Sequence, residues 1–300
     1  MRALENKRRA FNDPPVKRLI LPAAIFLIIM TQIPFLITIY YSFQDWNIMR
    51  PDKGITFTGI SNFKKVLTDP AFYQVLTNTA VLTLSILLIC FVLGFAIALL
   101  MNRDFPGKGL VRTMFITPFF VMPTVAAIVW KTLVYNPNFG FASFFANVFG
   151  QAPIEWLSQH PLLSIIIIVS WIWTPFFMLI LLAGLQSLPA ELLEAAQLDG
   201  ANKVHQFIHV TVPHLVKYIE VVMILGLMFI LQVFGEIYVT TAGGPGFSST
   251  NLSFFVYRTG FQNWDIGMAS AIGVITVILT IIMMMFMIKV LSRMFKEGQQ

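Results

Sequence analysis

The sequence predicts an all-α membrane protein with about six transmembrane helices. Three observations carry that expectation. Six apolar runs are each long enough to cross a bilayer. Charged residues make up 11% of the chain and hydrophobic ones 57%, where soluble domains carry about 25% charged residues. Lys and Arg fall between the runs with a strong bias to one side. At a mean hydropathy of +0.77 the apolar surface exceeds what a water-soluble core can hide, whereas lipid accommodates it.

About 20 mainly apolar residues cover the roughly 30 Å of hydrocarbon. The runs are Leu19–Ser42, Leu76–Met101, Thr113–Tyr135, Leu162–Gln186, Tyr218–Thr240 and Ile266–Val290. Pro118 and Pro123 make the third run the least regular, because each removes a ladder hydrogen bond. The first run is too long for a cleaved leader, carries Pro22 and Pro34, and lacks a small-residue cleavage site after it. The expected organisation is an N-terminal segment 1–18, one transmembrane domain 19–290 and a tail 291–300.

Fourteen basic residues lie on the side of the N-terminal segment, the 2–3 and 4–5 loops and the tail; five lie on the other. The positive-inside rule places both termini in the cytoplasm. Trp46, Trp130, Trp156 and Trp264 then fall at the outer boundary, and Lys131 near the outer end of the third run can snorkel to water. This distribution, rather than a nucleic-acid partner, accounts for the net charge of +6. Cys90 stands alone, which excludes an internal disulfide and a cysteine-cluster metal site.

The loop 187–214 stands apart from the others. Pro189 suits a first helical turn, Glu191 and Glu194 favour the helix dipole, and Gly200 is a C-terminal stop. Asn202 can cap a second short helix, which Pro213 interrupts or ends. The spacing therefore predicts a helix–turn–helix with small apolar residues at Leu192, Ala195, Ala196 and Leu198. On the residues alone two readings stay open: an amphipathic hairpin lying on the bilayer, or a docking surface in the cytosol.

Glu194-Ala195-Ala196, three residues, Gly200, nine residues and Val210-Thr211-Val212-Pro213 together resemble the EAA motif of ABC importer permeases. Val210 and Val212 replace that motif's usual Ile and Leu, and its spacing is intact. Thr241 to Gly246 with Thr250 and Tyr257, and Asn136 to Gly140, resemble the 5–6 and 3–4 outer loops of carbohydrate-importer permeases of the maltose and glycerol-phosphate type. The likeness covers nearly the whole chain. It implies a multi-pass permease of the bacterial or archaeal plasma membrane. Its implied partners are a second homologous permease, two ATP-binding subunits and an extracytoplasmic solute-binding protein. Glu194, Ala195, Ala196, Gly200 and Pro213 would couple the permease to those ATPases. The chain has no Gly-x4-Gly-Lys-Ser/Thr loop, so ATP and Mg are expected on the partner, with no cofactor, metal or catalytic residue here.

Polar groups inside a span are costly and face protein or water. Gln232, Glu236 and Thr240 recur every four residues, which predicts one shared helical face. Gln232 and Glu236 are candidates to meet the hydroxyls of a sugar or polyol, and Trp171 and Trp173 to stack on a sugar ring. The carboxylate and the amide have plainer readings: Glu236 near the outer interface, Gln232 bonded to a neighbouring helix. Gly267, Ser270, Ala271 and Gly273 predict close helix packing. His205, His209 and His214 cluster in the 187–214 loop without a carboxylate or cysteine to complete a metal set. A secondary transporter or channel would need Glu236 as its buried carboxylate. An intramembrane enzyme would need a histidine inside a span, and none of the four lies in one.

Overall fold

The structure, a computed structural model, describes the backbone of residues 14–296 and the side chains of residues 21–290. The basic cluster at Arg2, Lys7, Arg8 and Arg9 and the end of the tail lie outside the described residues. Among the described residues, five helices are long and apolar enough to cross a membrane: Leu21–Ser42, Pro70–Met101, Pro161–Gln186, Lys203–Ile230 and Ile266–Val290. Lys108–Phe120 and Pro123–Val134, bent by 103°, bring the number to six when the pair is counted as one span. Met122, at φ −55° and ψ 133°, sits in the extended region favoured before proline, so the helix stops and restarts at Pro123.

The chain clusters into two compact units. One holds the residues through Leu67 together with Arg258–Ile275. Here the first span gives way to a short antiparallel pair, Gln44–Asp45 with Thr56–Phe57, which the hydropathy pattern does not predict. Buried Asn62 donates to the carbonyls of Ser42 (3.1 Å) and Gln44 (2.7 Å). Asn47 forms a single antiparallel bridge with Asp265. The Asp265 Oδ1 accepts from Met268 N at 2.9 Å and caps the last helix. Gly267 lies directly against the Gln44 carbonyl. The small residue there admits a strand backbone, where helix packing was expected.

The second unit holds Thr68–Tyr257 and the residues from Thr276. Asp69 accepts from Ala71 N at 2.9 Å and Pro70 occupies the first turn, so the second span begins six residues before the apolar run. Its core lies among the second, fourth and fifth spans. Phe177 is fully buried there. A Cβ on Gly94 would lie 2.7 Å from the Phe177 Cβ, and one on Gly226 2.5 Å from its Cζ. Two glycine notches on neighbouring helices thus receive one aromatic residue, the small-residue packing that brings membrane helices together.

Candidate functional site

The 187–214 loop forms two helical pieces joined by a glycine turn. The first, Ala190–Leu198, has Pro189 as its N-cap and Glu191 in the first turn. Gly200 adopts φ +82°. Its N–H donates to the Gln197 carbonyl (3.0 Å), and the Ala201 N–H to that of Ala196 (2.9 Å). These two bonds make a Schellman stop, which satisfies carbonyls a helix end otherwise leaves open. Glu194 and Ala195 are exposed and Ala196 half-buried. Leu198 is 89% exposed and Val204 66%. Apolar side chains this open on a rigid loop form a surface suited to a partner.

Asn202 caps the second piece as expected, accepting from His205 N at 2.8 Å. Pro213, however, does not end it. The chain runs from Lys203 through a π turn at Phe207–Thr211 into Val212–Ile230. The widened turn directly before Pro213 leaves room for its ring and absorbs the missing donor. The second helical piece and the fifth span are therefore one continuous rod. Gly184 faces Leu215 and Tyr218, where an added Cβ would approach to 2.7 Å. Ser187 Oγ meets His214 Nε2 (2.9 Å) and Tyr218 OH (2.7 Å). The loop is thus fastened to both spans it connects. His205 and His209 stack with ring centroids 3.9 Å apart. No group of three potential ligands able to hold a metal occurs among the described residues.

The expected shared face of Gln232, Glu236 and Thr240 is not present. The helix ends at Ile230 and restarts at Gly235. Gln232 lies in the gap, exposed, and its Nε2 donates to the Met228 carbonyl at 2.9 Å. Glu236 is 4% exposed, in the first turn of the short helix Gly235–Thr240. Thr240 is buried and donates to the Glu236 carbonyl at 2.6 Å. Asn251 and Ser253, not singled out in the sequence, satisfy the gap's carbonyls. Asn251 Nδ2 donates to Val233 O at 2.6 Å and Ser253 Oγ to Leu231 O at 3.0 Å.

Trp171 and Trp173 point to different surroundings. Trp171, 38% exposed, lines a mainly apolar cavity of about 810 Å³ with Leu93, Met114, Phe115, Trp130 and Pro175. Trp173 stacks on Phe229 with centroids 5.0 Å apart and meets Phe119 edge-on at 5.7 Å. Between the breaks, the restarted halves of the third and fifth spans meet. Gly235 packs beside Thr124, and exposed Lys131 donates through Nζ to Val239 O at 2.9 Å. The glycine-rich segment after Thr240 is equally fixed. Gly243, at φ +79°, accepts from Thr250 Oγ1 (2.8 Å), and Asn78 Nδ2 donates to Phe247 O (2.6 Å) and Thr250 O (3.1 Å).

Residues 90–297 match the family described as the inner membrane component of binding-protein-dependent transport systems. A probable ABC transporter permease protein of Sinorhizobium fredii is 36% identical over 273 residues, covering 91% of this chain and 88% of the relative. The trehalose/maltose transport system permease protein MalF of Thermococcus litoralis is 31% identical, with 88% of each chain covered. Among solved structures, a bacterial alginate ABC transporter, in complex with its pentasaccharide-bound periplasmic protein, matches with a TM-score of 0.79. It has 23% identity and covers 99% of each chain, a likeness of fold.

Proposed function

The chain belongs to the family of inner membrane components of binding-protein-dependent transport systems, and we propose that it imports a neutral sugar or sugar alcohol. It is a non-catalytic, multi-pass permease subunit of the plasma membrane. In the proposed complex it pairs with a second permease. Two ATP-binding subunits supply ATP and Mg chemistry, and an extracytoplasmic binding protein delivers the solute. The observation that carries the coupling role is the exposed helix, Schellman turn and capped helix, built on the Glu194-Ala195-Ala196 and Gly200 spacing. Because the capped second helix continues into the fifth span, a push on Leu198 and its neighbours reaches that rod through the Gly200 turn. Pro213 and the π turn before it mark where that rod is most easily bent.

The orientation proposed from the basic residues places both termini and this loop in the cytoplasm. The substrate path is proposed along the break in the fifth span, with Gln232 exposed at its edge, Glu236 buried beside it, and Trp171 on the cavity wall. The relatives' names support a carbohydrate, since one is a trehalose/maltose permease. Lys131 and Lys289 are the only basic residues within the apolar runs, each near an end, which favours a neutral solute over a phosphorylated one.

The test is reconstitution of the complete complex with its binding protein in proteoliposomes, assayed with a panel of sugars, polyols and glycerol phosphate. ATP-dependent accumulation of a neutral carbohydrate is expected. Uptake driven by an ion gradient without ATP, and abolished in Glu236→Gln, would instead establish a secondary transporter.

A further inference from the structure

A second pocket, of about 390 Å³, opens beside the end of the restarted third helix. Lys131, Tyr135, Asn136, Glu155, Trp156 and Ser158 line it. Its volume falls in the range of small-ligand sites, about 300–1,000 Å³. Its walls are fixed rather than loose. The Trp156 and Tyr135 rings stack with centroids 5.8 Å apart, and Tyr135 OH donates to Ser164 O at 3.3 Å. Glu155 Oε2 accepts from Ser158 Oγ at 2.9 Å, and Lys131 is tethered through Val239 O. Asn136 Oδ1 accepts from Asn138 N at 2.9 Å, and the same side chain carries an amide N–H donor.

We infer that this pocket is a carbohydrate subsite, in which one ring of the solute rests against Trp156 while Glu155 and Asn136 hold its hydroxyls. The chemistry selects a neutral polyhydroxyl group. A half-buried indole offers an apolar face to the C–H side of a sugar ring. A carboxylate accepts hydroxyl protons in strong charge-assisted bonds, and an ammonium and an amide donate to hydroxyl oxygens. With one cation and one anion on opposite duties, an ionic ligand gains from one and is repelled by the other. The inference rests on the sugar reading and on the orientation proposed above, which put the pocket on the outer face. There it would take the solute on its way from the binding protein toward the break at Gln232.

The test uses the complete reconstituted complex and maltose or whichever panel sugar the wild type imports. Glu155→Gln and Trp156→Ala should each raise the KM for uptake by about five- to tenfold, the loss of one charge-assisted hydrogen bond or one stacked ring. Maximal uptake and basal ATPase should stay unchanged, and Trp156→Phe should restore most of the affinity. Glu155 is exposed, so Glu155→Gln reports on the pocket even if Trp156→Ala assembles poorly. An unchanged KM in assembled Glu155→Gln complex overturns the subsite and leaves the sugar reading intact. Loss of binding-protein stimulation of the ATPase at unchanged KM overturns it too, in favour of a protein-docking face. A wild type that imports no carbohydrate at all overturns the sugar reading itself.

Discussion

Asn251 Nδ2 donates to the carbonyl of Val233 at 2.6 Å, across eighteen residues of sequence. That bond supplies what the fifth helix loses when it breaks after Ile230. The same side chain's Oδ1 accepts from Phe254 N at 2.9 Å, so one buried amide fixes both the gap and the next helix. Replacing it by Leu leaves a buried carbonyl and a buried N–H without partners, a loss of about 2–4 kcal/mol for the two groups. We expect Asn251→Leu to lower the Tm of the purified complex sharply and to reduce yield. Wild-type thermal stability by size-exclusion after heating would remove this bond from the account.

At Gly200 the cost is one of backbone shape, not space, because an added Cβ there would meet nothing within 4 Å. A β-branched residue at φ +82° is strained, by about 1–2 kcal/mol or more, while Asn tolerates this region better. Gly200→Val should therefore weaken ATPase docking or uncouple hydrolysis from uptake, with membrane insertion unharmed, and Gly200→Asn should be milder. Equal coupling ratios in both variants and the wild type would refute the role of this turn.

Gly184 presents the opposite case. Its neighbours Leu215 and Tyr218 leave no room for a side chain. Gly184→Leu overpacks the joint between the fourth and fifth spans, at about 1–3 kcal/mol. The expected outcome is reduced assembly and heat resistance. Gly184→Ala should be intermediate, and pulse-chase yield of the three proteins ranks them.

The exposed side chain of Gln232 has one described bond, to the Met228 carbonyl in the helix before the gap, so its loss should cost under about 1 kcal/mol of stability. Gln232→Leu should therefore assemble and hydrolyse ATP normally while uptake falls and sugar preference changes. Normal uptake in that complex takes the residue out of the path.

Topology can be read by labelling. Cys90 is fully buried, so it should stay silent toward an impermeant thiol reagent. Asn138 and Gln197 are both exposed. In intact cells Asn138→Cys should react from outside and Gln197→Cys should not. Labelling at Gln197 alone inverts the proposed orientation.

The sequence by itself determined the apolar runs, the basic asymmetry between loops, and the spacing from Glu194 to Pro213, because each is a property of neighbours along the chain. It also marked Gly200 as a stop and Asn202 as a cap, since both act within one helical turn. Only the tertiary structure decided that the fifth span breaks between Ile230 and Gly235 and that Pro213 does not break it. An apolar run reads as continuous to a periodicity argument. Opening its ladder in lipid is tolerable only where distant groups satisfy the freed carbonyls. Those groups are Asn251 and Ser253, folded back from the far side of a glycine-rich loop. Likewise Trp171 and Trp173, two residues apart, parted company: one faces a cavity and the other a stack of phenylalanines, because helix geometry sets their directions and the neighbouring spans set what lies there.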